Sequence, residues 1–343
     1  MPRPHLPPMI AKPYLLFLAD AKDRNSCKTA YGIAYWRPAD CVGELRYPEA
    51  TTDCGTPAMT VREAAQRGAK TMVLGLAPSG GALAPRWVET ILEALDAGLD
   101  IASGMHVRLD SVAAIAERAQ RLGRKLHDVR MPPPGIKVGT GRRRPGKRLL
   151  TVGTDCNAGK MFTSLALEKE LRARGKAATF RATGQTGILI AGSGIAVDAV
   201  IADFISGATE QLAPANAPEH WDLVEGQGSL FHPSYAGVSL GLLHGAQPDL
   251  MVMCHDPTRK TMRGDVDHAL PGIRECIALN EHCAKLTNPA AKVIGISVNT
   301  SRLADGEAKA LLARLAQEHG MPAVDPVRTG VAPLVDAILA SGR

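Results

Sequence analysis

The sequence predicts an α/β protein made of two doubly wound parallel sheets in succession, and three observations predict it. Short apolar runs of strand length alternate with segments whose apolar residues recur at helical spacing. The alternation stops at a basic stretch rich in Pro and Gly, then restarts. Where it restarts, a glycine loop at residues 153–164 lies between a strand and a helix, the order in which doubly wound sheets place their ligand loops.

In the first half, Tyr14–Leu18 and Thr71–Leu76 read as buried parallel strands. Val61–Gly68 and Trp87–Ala97 carry apolar residues at helical spacing. Gly98 stops the second of these helices, and Asp100–Ala102 resumes as a strand. The loop Gly75–Gly81 could approach a ligand at the carboxyl end of its strand, but it lacks the G-x-G-x-x-G spacing of a dinucleotide site. In the second half, Leu149–Val152, Ala177–Arg181, Asp222–Glu225, Leu250–Cys254 and Val293–Val298 read as strands. Lys160–Arg174, Ile195–Ser206, Ala269–Lys285, Ala308–His319 and Val331–Ser341 read as helices. The expected division is a first domain at 1–136, a basic linker at 137–148 and a second domain at 149–343.

Composition narrows the function classes. The chain has 343 residues, 45% of them hydrophobic and 4% aromatic, with a net charge of +6. That is enough apolar material for two cores and argues against disorder. Seven cysteines, an odd number with no C-x-x-C pair, read as reduced thiols of a cytoplasmic protein. Residues 1–13 contain no apolar run of signal-peptide length, so no secretion signal is expected. The most membrane-like stretch, Gly187–Ile205, carries Asp198 and Asp203. At about 2.5–3.5 kcal/mol for an Asp near a bilayer centre, a soluble helix is the better reading, and no membrane partner is expected.

The positive charge is local. Between Met131 and Leu150 stand Lys137, Arg142, Arg143, Arg144, Lys147 and Arg148, with no acidic residue among them. They account for the whole excess. A nucleic-acid face would spread such charge over a surface and interleave aromatics, so no nucleic-acid partner is expected. The plain reading of this run is a solvated linker; the functional one is a clamp for a phosphorylated small molecule, because the run leads into the glycine loop.

That loop reads Gly153-Thr154-Asp155-Cys156-Asn157-Ala158-Gly159-Lys160-Met161. Backbone N–H groups of such a loop converge on a phosphate at the positive end of the following helix, and Lys160 adds a point charge. The spacing G-x5-G-K is one residue longer than the common form. Met161 stands where a Ser or Thr hydroxyl would normally hold Mg²⁺, with Thr163 and Ser164 as the nearest hydroxyls. The loop is thus suited to phosphates and poorly equipped for metal-assisted phosphoryl transfer; no metal is expected.

The longer loop resembles that of dethiobiotin synthetase, a phosphate-loop ATPase, as does the acidic-glycine turn Val224-Glu225-Gly226-Gln227-Gly228-Ser229-Leu230. At a closer match the chain resembles a family first described as a domain of unknown function, whose members are associated with D-glutamate N-acetyltransferase activity. The residues that carry this resemblance are Gly141–Met161, Ala182–Gly187, Gly194–Val200 and Glu225–Ser229, and similarity extends over nearly the whole chain. Met161 belongs to that family's pattern. Asn157-Ala158 departs from it, since a small residue followed by Val is more usual there. The resemblance implies a Rossmann-like N-terminal domain followed by a phosphate-loop NTPase-like α/β domain, and transfer of an acetyl group from acetyl-CoA to the amine of D-glutamate.

Such a reaction needs a clamp for the CoA phosphates, a base for the ammonium and cations for two carboxylates. The expected clamp is Gly153, Thr154, Cys156, Asn157, Ala158, Gly159, Lys160 and Met161 together with Arg143 and Arg144. Glu225 or Asp155, each after a strand end, is the expected base; turn stabilisation is the alternative role for both. Arg181, Thr183, Gln185 and Arg259 are the expected substrate contacts. His232 and His255 also follow strand ends, and Cys156 at a helix N-terminus would have its thiolate favoured. Asp198 and Asp203 are minor candidates. Two rival readings remain open here: an ATP-dependent ligase or carboxylase related to dethiobiotin synthetase, and a non-enzymatic nucleotide- or CoA-binding regulator. Two α/β domains of this kind are expected to form a homo-oligomer.

Overall fold

The computed structural model describes residues 9–24, 26–76, 83–264 and 266–342. The chain forms two compact units. One takes the described residues up to Pro132 together with Gly184–Ala196; the other takes Pro133–Thr183 and the described residues from Val197 onward.

The first unit holds β1 (Tyr14–Ala19), β2 (Cys41–Arg46), β3 (Thr71–Leu74), β4 (Asp100–Ser103) and β5 (Leu126–Asp128), in the sheet order β2-β1-β3-β4-β5 and parallel throughout. Every residue of β1 is buried, as a strand covered on both faces requires. The helix Val61–Gln66 starts at a capping box in which Thr60 and Glu63 satisfy each other's backbone N–H groups. The helix Pro85–Asp96 places Trp87, Ile91, Ala94 and Leu95 inward at helical spacing. Of the loop Gly75–Gly81, residues 77–81 lie outside the described residues. The segment Gly184–Ala196 joins this unit through the helix Gln185–Ala191. Thr186 Oγ1 lies 3.2 Å from Thr29 Oγ1, and Ile10 donates its N–H to Gly192 at 2.8 Å.

The second unit holds β6 (Lys147–Gly153), β7 (Ala178–Arg181), β8 (Trp221–Val224), β9 (Leu250–His255), β10 (Lys292–Val298) and β11 (Ala323–Val324). Their order is β11-β10-β9-β6-β8-β7, again all parallel. From β6 the chain builds β7 and β8 on one side, then crosses to build β9, β10 and β11 on the other. β6 therefore stands at the point where strand order reverses, and the crevice beyond its carboxyl end is where a ligand fits. Its core packs Leu150, Val152, Val224, Met251, Met253, Ile296 and Val298 from the central strands.

One expectation fails. Residues 195–206 do not form one helix: short 3-10 turns at Val197–Ala199 and Ala202–Phe204 precede a helix at Ile205–Leu212. Ile195 and Ala196 are buried outside any helix, Val197 N–H bonds to Thr183 O at 3.1 Å, and Asp198 and Asp203 are exposed. Apolar content alone does not separate a helix from a buried irregular segment. In the basic run Lys137, Arg142 and Arg143 are exposed and outside helix and strand, and only its last two basic residues belong to β6. It leads into the start of β6, where Arg148 is fully buried and Lys147 pairs with Glu219 at 2.5 Å. Among the described residues, no helix is long and apolar enough to cross a membrane.

Candidate active site

At the end of β6 the chain turns through Gly153–Gly159 into the helix Lys160–Ala173. Gly159 has φ +97°, a conformation a side chain resists, and it lets the helix begin directly at Lys160. The first N–H groups of that helix have no intrahelical acceptor and carry its positive end, so the loop keeps the physical character of an anion site.

The loop is held from three sides. Lys160 is buried, and its ammonium donates to Asp155 O at 2.7 Å and to Gly228 O at 2.8 Å, tying the loop to the turn after β8. Burial pushes its pKa down, because removal from water disfavours the charged form. Asp155 is fully buried. One carboxylate oxygen accepts from Cys156 N–H at 2.6 Å; the other accepts from Arg259 Nη1 at 2.6 Å and from Arg263 N–H at 2.7 Å. Arg259 also donates to Cys156 O at 2.8 Å. With its amide oxygen turned toward Arg263, Asn157 accepts from that guanidinium at 2.6 and 3.2 Å. Thr154 Oγ1 meets His255 Nδ1 at 3.1 Å, and burial pushes the His255 pKa down to about 4.

Glu225 follows β8, the strand beside β6. It is buried, accepts from Thr183 N–H at 2.9 Å, and receives a bond from Thr183 Oγ1 on its carbonyl at 2.7 Å. Gln227 Nε2 donates to the same hydroxyl at 3.0 Å. Gly226 is required next to it: a Cβ there would fall 1.6 Å from Thr151 O and 3.0 Å from Lys160 Cδ. That close approach brings the turn after β8 against Thr151 and the stem of Lys160.

The structure therefore brings together the loop Gly153–Met161, Asp155, Arg259, Glu225 and Thr183, and separates the rest. Arg143 and Arg144 do not join the clamp. They sit ahead of the first residue of β6, whereas the loop follows its last, and at about 3.3 Å per residue that is roughly 20 Å of strand. Arg144 instead donates to Ala213 O at 3.0 Å and Gly245 O at 2.7 Å, and burial lowers its pKa to about 10; Arg143 bonds Asn288 Oδ1 at 2.5 Å. Arg181 is paired with the buried Asp222 at 2.7 Å, which fixes its Nε in the sheet instead of on a substrate carboxylate. Arg259 is spent on Asp155. Gln185 belongs to the other unit, where its side-chain oxygen accepts from Arg130. The activated thiolate expected at Cys156 is also corrected, since burial raises the thiol above its usual range.

His232 is held at both ring nitrogens: Ser234 N–H donates to Nδ1 at 3.1 Å, and Nε2 donates to Arg263 O at 2.8 Å. Asp155, Cys156 and His232 bring three ligand-type atoms within 4.8 Å of one another. The Asp155 carboxylate and both His232 nitrogens are already bonded to Arg259, Arg263 and the N–H groups of Cys156 and Ser234. Thr163 and Ser164 are equally committed, to Ser297 at 2.7 Å and Thr151 at 3.0 Å, and neither stands free as a substitute for the hydroxyl missing at Met161. The residues that sequence reasoning missed are Gly228, whose carbonyl takes half of the Lys160 ammonium, and Asp222, the counterion of Arg181. Both carried a signal: Gly228 stands in the acidic-glycine turn Val224–Leu230, and Asp222 is an acid inside the apolar strand Trp221–Val224.

The model of a P-loop domain of unknown function, DUF1611_C, matches residues 136–335, and that of its Rossmann-like partner, DUF1611_N, matches residues 45–132. The chain belongs to the DUF1611 family. A crystal structure of a DUF1611 family protein from Anabaena variabilis superposes with a TM-score of 0.82 at 31% identity, covering 96% of this chain and all of that one. Two further relatives are each named D-glutamate N-acetyltransferase. The one from Tritonibacter scottomollicae is 49% identical over 97% of this chain and its own full length; the one from a Pseudoalteromonas species is 50% identical over 95% of this chain and 98% of its own. The α/β architecture expected from sequence, Rossmann-like and then P-loop, is the one that DUF1611 members share.

Proposed function

We propose that this chain transfers the acetyl group of acetyl-CoA to the amine of D-glutamate. The observation that carries this reading is the near-full-length identity of about one half to two relatives bearing that activity as their name. The site supports it by what it offers and what it lacks. It offers a loop and helix N-terminus for phosphates, and beside them a buried carboxylate. It lacks the hydroxyl after Lys160 that phosphoryl transfer with Mg²⁺ would use.

In this reading the phosphates of CoA sit at the N-terminus of the helix Lys160–Ala173. Arg263, exposed and anchored on Asn157, is a nearby cation available to an incoming anion. Glu225 takes the proton from the ammonium of the amino acid. The freed amine attacks the thioester carbonyl, the C–N bond forms as the C–S bond breaks, and the departing CoA thiolate takes up the second proton lost by the nitrogen. Asp155 is the counterion that shapes the loop, not the base, because both its oxygens are bound by Arg259 and by backbone N–H groups. A cytoplasmic homo-oligomer is the setting we propose for it.

The test offers the protein D- or L-glutamate with either acetyl-CoA or Mg-ATP and follows products by mass spectrometry. N-acetyl-D-glutamate with free CoA is expected. ADP formation with no acetyl product would establish the ligase reading instead, and tight CoA binding with no turnover would leave a regulator.

A further inference from the structure

His232 is buried, and the proposed chemistry leaves it without a task. It stands in the turn after β8, and the first N–H of the helix Ala236–Ala246 bonds back to its carbonyl at 3.0 Å. Its ring is held from two sides. Ser234 N–H meets Nδ1, and the Tyr235 ring lies over the imidazole with centroids 4.5 Å apart and 31° between the planes. Nε2 is thereby aimed at one peptide group.

That group belongs to Arg263. After β9 the chain makes an excursion that doubles back on itself: Met262 N–H donates to His268 O and Leu270 N–H to Lys260 O, both at 2.9 Å, and Thr261 and Ala269 form an antiparallel bridge. Arg263 follows the Met262 rung and is held by two side chains from elsewhere. Its N–H donates to Asp155 Oδ2 at 2.7 Å, and its carbonyl accepts from His232 Nε2 at 2.8 Å. With its backbone caught at both ends, the exposed Arg263 lays its guanidinium on the amide oxygen of Asn157, inside the phosphate loop. His232 Nε2 also lies 3.9 Å from Asp155 Oδ1, so the turn after β8, the loop and the excursion after β9 meet at this one ring.

We infer, on the acetyl-CoA reading of this site, that His232 is a positioning residue: by holding the Arg263 carbonyl it sets the Arg263 guanidinium at the phosphate loop, ready for a CoA phosphate. An exposed arginine loses rotamer freedom when it closes on an anion. Fixing its backbone, and with it the reach to Asn157, removes part of that loss before the ligand arrives, and affinity for the phosphates rises accordingly. In this role His232 acts through Arg263, so its effect falls on CoA binding and not on kcat.

Calorimetry with CoA on the full chain tests this with four variants. His232→Asn keeps an acceptor for Ser234 N–H and loses the donor to Arg263 O, whereas His232→Gln keeps a donor there. Arg263→Met removes the guanidinium, and the fourth variant joins His232→Asn to Arg263→Met. His232→Asn and Arg263→Met are each expected to raise the CoA Kd about tenfold, with His232→Gln within about threefold of the parent. The double variant should be weaker than Arg263→Met by no more than about twofold, because the histidine has no guanidinium left to place. In His232→Asn, kcat at saturating acetyl-CoA should stay within about threefold of the parent. Limited trypsin digestion gives a second reading, since the carbonyl that His232 holds is that of the bond trypsin cuts after Arg263. Cleavage there should rise severalfold in His232→Asn, while cleavage after the exposed Arg302 does not change. An unchanged Kd in His232→Asn, fully multiplying effects in the double variant, or equal rises in cleavage at Arg263 and Arg302 would overturn the inference and leave His232 as packing. A parent chain that binds no CoA would overturn the acetyl-CoA reading, and this role with it.

Discussion

Asp155 and Arg259 form a buried ion pair: Oδ2 of the one lies 2.6 Å from Nη1 of the other, and no part of the carboxylate reaches solvent. The pair sits inside the phosphate loop, so the loop's shape depends on a charge supplied a hundred residues later. Removing the cation alone leaves an uncompensated buried carboxylate. Arg259→Met should therefore cost about 3–5 kcal/mol, Asp155→Asn less, and the double variant less than the two combined, with a coupling above roughly 1 kcal/mol. Denaturant unfolding of the four proteins checks this; strict additivity would mean that the pair does not hold the loop.

Lys160 has two tasks that one substitution separates. Its ammonium satisfies the carbonyls of Asp155 and Gly228, and it lies where CoA phosphates are proposed to sit. Lys160→Ala should lower stability by about 1–3 kcal/mol through the orphaned carbonyls. It should also raise the KM for acetyl-CoA by roughly tenfold or more, the loss of one charge-assisted hydrogen bond. Stability loss with an unchanged KM would reduce Lys160 to a pin between the loop and the turn.

Legibility of this protein in its sequence followed the range of the forces involved. The strands β1, β6, β9 and β10 are continuous apolar runs, and the loop 153–160 is a contiguous motif, so both were readable. Partnerships across the sheet were not. Arg181 looks the same in sequence whether it meets a substrate carboxylate or Asp222, and Arg259 whether it meets a ligand or Asp155. The 2.6–2.7 Å pairings that decide between these join residues 41 and 104 positions apart. The arginines at 143–144 misled for a related reason: adjacency to the loop in sequence is separation by the whole of β6 in space. The helix Gln185–Ala191 was obscured because it packs in its own unit against the helix Lys28–Trp36, more than 140 positions earlier in the chain.

His255 gives the fold a pH dependence of definite sign. Burial lowers its folded pKa to about 4, while the unfolded chain titrates it near the ordinary value of 6.5. Between those values the unfolded state binds more protons, so stability is full above about pH 6.5, falls as the pH drops toward 4, and then levels off. The loss from this residue is at most about 3 kcal/mol. His255→Asn, which keeps a hydrogen-bond partner for Thr154, should flatten the decline in Tm between pH 7 and 5 relative to the parent. An identical slope in the two proteins would place the titrating group elsewhere.

Glu225 carries the most specific chemical assignment and admits the most discriminating substitution. Glu225→Gln keeps an oxygen for the N–H of Thr183, so stability should stay within about 1 kcal/mol of the parent. Glu225→Ala orphans that N–H and should be clearly less stable. If Glu225 removes the ammonium proton, Glu225→Gln should lose 10²–10⁴-fold in kcat, keep its KM for acetyl-CoA within a few-fold, and lose the acidic limb of its pH–rate profile. A residue that only braces the turn would behave otherwise: the Gln variant would keep nearly full kcat and an unchanged profile, while the Ala variant lost activity in step with stability. A kcat within threefold of the parent in Glu225→Gln would thus remove Glu225 as base and return the role to a group brought in by the substrate-bound form.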